Sequence, residues 1–269
     1  MIPAPSRALL AMPANLETAP DLPPPRAFGR EPGDLDFDFA GTDRLGLATA
    51  LVAACTSGPR DAGRAWELPV GARIGRLLRI VALTEASDAL PVALRCPAAE
   101  CGKTLEVSLP FERLPVGAQE AATVDVPLAD GSNVRLRRPT GRDQQTWRAQ
   151  TFRTQRDALA GIVASLMVPP SHAPDDALPV LSAAMERFDP LTAFRVSTEC
   201  PHCGEDVTIL VDLEAEALRR LAAHRRALLL EIHALATQYG WSESAILAVP
   251  PRRRARYLQL IEAARPRTP

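Results

Sequence analysis

CPAAECGKTLEVSL (residues 96–109) and ECPHCGEDVTILV (residues 199–211) are two versions of one pattern. In each, a Cys-Pro pair is followed after a short gap by Cys-Gly, and then by the alternation of polar and apolar residues that is typical of a strand. A tight turn of this kind brings two thiolates to one metal ion at about 2.3 Å, and the glycine supplies the left-handed backbone that the turn requires. The sequence therefore predicts two zinc knuckles, each leading into a strand.

The two knuckles together offer four metal ligands: Cys96, Cys101, Cys200 and Cys203. Four thiolates complete a tetrahedral zinc site with no open position, so we expect a structural and not a catalytic metal. Closing a loop of about 100 residues costs roughly 4 kcal/mol, whereas a structural zinc supplies about 10–16 kcal/mol. We therefore expect the zinc to join two distant strands into one ribbon. The fifth cysteine, Cys55, ends an apolar run and is expected to be a small buried thiol.

Three other interpretations of the cysteines remain open. A thioredoxin-type redox pair would open a helix, but Gly204 leads into a strand pattern. A structural disulfide is disfavoured because the sequence has no recognisable export signal. The four cysteines could also be unrelated free thiols. His202 lies between two cysteines, but the knuckle geometry turns that position away from the metal, and we do not expect it to be a ligand.

Composition limits the class of protein. The chain has 269 residues, with 31 Lys and Arg against 32 Asp and Glu. This balance argues against a surface built as a whole for nucleic acid or an anionic membrane. No apolar run reaches the roughly 18 residues of a membrane span, and we expect a soluble, cytoplasmic protein. The motifs of nucleotide-binding loops, metalloproteases and serine hydrolases are not present, so we expect neither an enzyme nor a small-molecule substrate.

We expect an α+β fold: a split four-cysteine zinc ribbon with a helical insertion and a C-terminal helical hairpin. The predicted segments begin with a Pro-rich acidic tail without fixed structure (1–43), followed by N-terminal helices with the first knuckle (44–110). A hairpin with the helical insertion (111–195), the second knuckle (196–212) and the basic C-terminal helices (213–269) come next.

The end of the predicted tail, DLDFDF (residues 34–39), alternates acidic and apolar residues with period two. This pattern predicts either a short edge strand on the protein's own sheet or a docking peptide that adds a strand to a partner.

Helical periodicity is clearest over residues 70–81 and in the C-terminal region. In the first, aliphatic residues share one face, and we expect Arg73, Arg76 and Arg79 to point outward. In the second, a seam of apolar residues is spaced so as to pack against another helix. We expect the seam and the aromatic residues beyond it to bind a partner protein. The expected partner-binding residues are Leu228, Ile232, Leu235, Tyr239, Trp241 and Tyr257.

The C-terminal region is basic, with ten arginines against five acids from Glu214 onward. The densest cluster is Arg252-Arg253-Arg254 with Arg256. A zinc ribbon followed by basic helices is compatible with a nucleic-acid-binding regulator. The pattern of glycine and aromatic residues used for base stacking is not present, so we favour a solvated helix face or an acidic protein partner.

Five segments in this order resemble the zinc-ribbon proteins encoded in contractile phage-tail-like injection clusters, which are similar to phage baseplate hub assembly proteins. The segments are LPVGARIGRLLRI, CPAAECGKTLEVSL, VRLRRPTGRDQ, DPLTAFRVSTECPHCG and LLEIHALATQYGWSESAILAVPPRRRARYLQLI. The resemblance spans about residues 68–264, and its most specific parts are the cysteine pairs and EIHALATQYGWSESAIL.

The resemblance implies a non-enzymatic role as a baseplate component or as a chaperone of baseplate assembly, with other baseplate or tail proteins as partners. It also implies that the four knuckle cysteines are the metal ligands. Two features depart from the family pattern. The first knuckle has four residues between its cysteines instead of two, and VDLEAEALRRL (residues 211–221) lacks the aromatic residues expected there.

Overall fold

The computed structural model describes residues 22–58, 61–115, 121–169 and 176–264, which form a mixed helix and sheet structure. The helices are α1 Arg44–Ala54, α2 Ala62–Glu67, α3 Val70–Glu85, α4 Gly141–Ala149, α5 Gln155–Leu166, α6 Leu178–Phe188, α7 Leu213–Tyr239, α8 Glu243–Ala248 and α9 Pro251–Ala264. The strands are β1 Ala89–Arg95, β2 Thr104–Pro110, β3 Thr123–Pro127, β4 Asn133–Arg137, β5 Arg195–Glu199 and β6 Asp206–Leu210. Short 3₁₀ turns occupy Pro32–Asp34, Phe111–Arg113 and Pro190–Ala193.

The strands form three separate antiparallel hairpins, β1–β2, β3–β4 and β5–β6. The two cysteine-bearing hairpins therefore share no backbone ladder among the described residues, and the single ribbon expected from the sequence is not formed by strand pairing. Both hairpins instead bury their apolar faces in the same core, through residues such as Leu94 and Leu105 on one and Val196 and Val207 on the other.

Helix α3 crosses the centre of this main core. Leu77, Leu78 and Val81 are fully buried there, as the periodicity predicts. The expected outward orientation of the arginines is wrong, because Arg73 is fully buried and Arg76 nearly so. Arg73 pairs with Glu214 at the start of α7, and Arg76 donates to the carbonyls of Leu22 and Pro23. A buried guanidinium is tolerated only with such partners.

The insertion has a small core of its own. It is built from the β3–β4 hairpin and from α5 and α6, with Leu136 and Leu181 fully buried at its centre. Thr140 and Asp143 form a capping box at the start of α4, since each side chain accepts a hydrogen bond from the other's backbone N–H.

The C-terminal helices form the third core. Helix α7 ends at Gly240, which has the left-handed backbone (φ +67°) expected of a terminating glycine. The chain then turns back, and α8 and α9 cover the second half of α7. Leu228, Ile232 and Leu235 are consequently buried inside the molecule, so they do not form a free surface for a partner. The seam packs against the chain's own helices.

Residues 22–39 do not form the solvated tail that the sequence predicts; residues 1–21 of that tail lie outside the described part of the chain. Phe28 is fully buried, and Leu35 packs in the C-terminal core. The fully buried carboxylate of Asp34 accepts hydrogen bonds from the backbone of Gly29 and Arg30, at 2.8 and 3.0 Å, and from the Arg26 guanidinium at 2.8 Å. The Pro32–Asp34 turn occupies the start of the strand expected over residues 34–39.

We expect Asp34→Ala to lower the free energy of unfolding by about 3 kcal/mol, because it leaves the half-buried Arg26 and several backbone N–H groups without their acceptor. Urea unfolding followed by circular dichroism measures the loss. Asp36→Ala, at an exposed neighbouring acid, is the matched control and should change stability by less than about 0.5 kcal/mol. Equal effects of the two substitutions would contradict the assigned role of Asp34.

Candidate metal centre

The four knuckle cysteines meet at one point between the β1–β2 and β5–β6 hairpins. Their sulfur atoms all lie within 4.8 Å of one another. Two close contacts join different knuckles, with 3.8 Å between the sulfurs of Cys96 and Cys203 and 3.9 Å between those of Cys101 and Cys200. The structure thus brings together residues that are more than ninety positions apart in the chain.

These distances fit a tetrahedral metal site. Four thiolates at about 2.3 Å from a central ion stand about 3.8 Å apart along the edges of the tetrahedron. A disulfide requires about 2.05 Å between sulfurs, and all five cysteines are free thiols. The arrangement therefore excludes a disulfide pair and leaves room at its centre for one metal ion.

The backbone of the two knuckles closes in the same way. The N–H of Cys96 donates to the carbonyl of Lys103, and that of Cys200 donates to the carbonyl of Glu205, both at 2.9 Å. In each case the acceptor lies two residues beyond the second cysteine. Gly102 and Gly204 follow those cysteines with φ of +57° and +75°. The predicted left-handed glycines are thereby confirmed.

The longer first knuckle absorbs its two extra residues in an additional turn. The N–H of Cys101 donates to the carbonyl of Ala98 at 3.0 Å, so Ala98–Cys101 forms a tight turn inside the loop. The Arg95 guanidinium also donates to the carbonyl of Gly102 at 3.0 Å. The four-residue spacing therefore still presents both thiols to the same point.

The hairpins fix the positions of the cysteines relative to the core. Cys96 and Cys200 each come directly after the last paired residue of a strand, and both are buried. Cys101 is half-buried and Cys203 is exposed. The site therefore lies at the edge of the main core, with one ligand open to solvent.

His202 is oriented away from the sulfur cluster, as expected. Its Nε2 donates to the carbonyl of Thr104 in the other knuckle at 2.9 Å. Among the described residues, the potential ligand group contains the four cysteines alone. The sequence gives no indication of this cross-knuckle hydrogen bond, because its two residues are 98 positions apart.

The thiols influence one another strongly. The backbone N–H of His202 lowers the pKa of Cys200 to about 6, although burial opposes the shift. For Cys96, the backbone N–H of Ala98 lowers the pKa, but burial and the surrounding sulfurs outweigh it and raise the pKa to about 12. The surroundings thus favour the Cys200 thiolate and oppose ionisation of Cys96. A divalent cation at the centre would favour all four thiolates, with release of their protons.

The predicted partner-binding residues fall into two groups. Leu228, Ile232 and Leu235 are buried within the C-terminal core. The three aromatic side chains pack together at its surface: the Tyr239 and Trp241 rings stack at 4.9 Å, and Tyr257 meets Trp241 edge-on at 5.2 Å. Tyr239 is exposed, and the other two are half-buried.

The basic cluster of the C-terminal region is divided in the same way. Arg252, Arg253 and Arg256 are exposed on α9. Arg254 is buried, where it pairs with Glu231 at 3.0 Å and donates to the carbonyl of Val249. One of the four arginines therefore joins α9 to α7 and is not available to a phosphate.

Comparisons of the chain with known protein families, with curated proteins and with solved structures return no match. The residues described by the structure include no helix that combines the length and hydrophobicity needed to cross a bilayer.

Proposed function

We propose that Cys96, Cys101, Cys200 and Cys203 hold one structural zinc ion that completes a split zinc ribbon. The observation that carries this proposal is the close approach of all four sulfur atoms, with inter-knuckle contacts of 3.8 and 3.9 Å. The choice of zinc rests on the chemistry of the donor set, because four thiolates in a tetrahedron favour zinc over cations that prefer oxygen ligands. The ion would join two hairpins that share no strand pairing.

We further propose that the zinc-stabilised frame serves a non-enzymatic protein of a contractile phage-tail-like injection system, as a baseplate component or an assembly chaperone. The proposal rests on the resemblance of the five sequence segments, several of which the fold packs against one another. Gly71 in the first of them donates to the buried carboxylate of Asp189 in the fourth at 3.1 Å, and Val70 donates to the carbonyl of Pro139 in the third at 2.8 Å. Segments distant in sequence thus depend on one another.

A nucleic-acid-binding regulator is the weaker alternative. It would use the exposed arginines of α9, and Arg254 is already engaged inside the protein. Binding through phosphates would fall steeply with salt concentration, whereas an assembly role through apolar contacts would not.

The assembly role is tested in the cells that make the particles. Deleting the gene should leave few or no complete sheathed particles in electron micrographs, and a plasmid copy should restore them. A Cys200→Ser copy should fail to restore them, whereas Cys55→Ala, which leaves the four ligands in place, should succeed. A normal number of complete particles in the deletion strain would contradict the assembly role.

A further inference from the structure

Helix α5 has more apolar surface than the described residues cover. Residues 158–166, ALAGIVASL, carry no charge, yet only Val163 and Leu166 are buried. A helix that is apolar on all sides is normally enclosed by other elements. Ile162 belongs to none of the three cores that the described residues form, although its neighbours Leu159 and Val163 pack into that of the insertion.

The uncovered face of α5 lies between two cavities of about 580 Å³ each. Ile162 lines both of them and forms the ridge between them. The first is also lined by Leu159, Leu178 and Pro179, and the second by Trp147 and Phe152. Both are open to solvent, and their size lies in the range of about 300–1,000 Å³ that is usual for binding pockets. We call this surface the α5 groove.

The walls of the α5 groove are fixed by specific contacts. The Trp147 indole donates to the hydroxyl of Ser165 at 3.1 Å, which holds the ring against α5. The Phe152 ring lies over Gly161, where a Cβ atom would come within 3.0 Å of it. The cavities therefore belong to a preformed surface.

Arginines predominate among the charged residues that line the two cavities, which are Arg44, Arg148 and Arg156 against Glu214. Arg44 is compensated by Asp212 and by Glu214, and the Glu214 carboxylate also pairs with the buried Arg73. Arg148 pairs with Asp43, but both side chains are more than half exposed. Such a pair contributes little, so its arginine can be shared with another acid.

We infer that the α5 groove docks an amphipathic helical segment of another protein, with two apolar anchor residues, one on each side of Ile162, and with Asp or Glu beside them. Apolar anchors in a preformed groove are the usual mode of helix recognition, and the acids complement the arginines. A second copy of this chain fits less well, because a symmetric pair would bring two arginine-lined grooves together.

This inference deepens the proposed assembly role by naming a surface and a partner chemistry, and it does not depend on the zinc. A failure of the groove experiment would leave the particle and metal results unaffected. Conversely, if the protein contained no metal and the particles still assembled normally, the expected peptide binding at α5 would be unchanged.

The test is to select, from a displayed library of random helical peptides, those that bind the folded chain. Peptides that also bind Ile162→Asp are removed by counter-selection. Enriched peptides should carry apolar residues one or two helical turns apart and flanking Asp or Glu. Fluorescence anisotropy of the synthetic peptides should show at least about tenfold weaker binding to Ile162→Asp and about threefold weaker binding to Arg148→Glu. Replacing the peptide's acids by lysine should restore binding to Arg148→Glu.

Leu230→Asp is the matched control, since Leu230 is an exposed leucine on α7 far from the groove in sequence, and it should bind the peptides normally. If Ile162→Asp does not fold, the exposed variants Arg148→Glu and Arg156→Glu carry the test. Enrichment of basic or uncharged peptides, or binding that none of the groove variants weakens, would overturn the inference. So would self-association of the wild-type chain in sedimentation that Ile162→Asp abolishes, because a second copy would then occupy the groove.

Discussion

Replacing Cys200 with serine is expected to abolish stable zinc binding and to lower the free energy of unfolding by several kcal/mol. Cys200 is fully buried, and its sulfur lies 3.9 Å from that of Cys101 in the other knuckle. The two cysteine hairpins share no backbone ladder, so the proposed metal would be a principal link between them at this edge of the core. Structural zinc contributes about 10–16 kcal/mol in isolated knuckles and fingers, and the loss here should be a substantial part of that.

Urea unfolding in the presence of reductant measures this effect. Cys55→Ala is the matched control, since Cys55 is equally buried but lies away from the sulfur cluster. It should retain the zinc and lose only the stability expected for a smaller buried side chain, about 1–2 kcal/mol. If Cys200→Ser were as stable as Cys55→Ala, the metal would have no structural role.

The substitution Glu214→Ala is expected to destabilise the protein by about 3–5 kcal/mol, because it leaves the charge of Arg73 buried without its ionic partner. Glu214 joins Arg44 of α1 and Arg73 of α3 to the start of α7, with both contacts at 3.0 Å. Burial lowers the pKa of Arg73, and the Glu214 carboxylate opposes that shift. The carboxylate therefore compensates a charge that no solvent reaches.

A double-mutant cycle separates charge compensation from packing. Combining Glu214→Ala with Arg73→Met removes both charges, so the double variant should be more stable than the sum of the two single losses predicts. The exposed pair Arg142–Glu67 is the control, and Glu67→Ala should cost less than about 1 kcal/mol. Additive losses at Arg73 and Glu214 would contradict the compensation.

The clustering of the four cysteines could be predicted from the sequence because its signals are local. Each knuckle is marked within about ten residues by Cys-Pro, Cys-Gly and a following strand pattern. The same holds for the two helix ends at the start of α4 and the end of α7. There Thr140 and Asp143 cap the first turn of α4, and Gly240 terminates the last turn of α7. Local chemistry of this kind is visible without the tertiary structure.

The orientation of the C-terminal seam could not be predicted in the same way. Spacing shows that Leu228, Ile232 and Leu235 need a covering helix, but it does not show whether that helix belongs to a partner or to the same chain. The turn at Gly240 brings α8 and α9 back onto the seam. Apolar residues that line the two cavities lie instead on α5, where the sequence shows only an apolar helix.

The burial of charged side chains could not be predicted from the sequence either. Periodicity treats a helix as having one buried face, so Arg73 and Arg76 were expected in solvent. The rest of the fold encloses α3 on several sides and supplies Glu214 and backbone carbonyls to those arginines. Likewise, the fold of residues 22–39 depends on the single buried carboxylate of Asp34, which a hydrophobic pattern cannot reveal.

The most direct test of the account is the metal content of the purified, reduced chain of 269 residues, measured by native mass spectrometry alongside elemental analysis. The account predicts one zinc ion per chain, retained through gel filtration and absent from Cys200→Ser. A wild-type chain that is fully folded without any metal would contradict it.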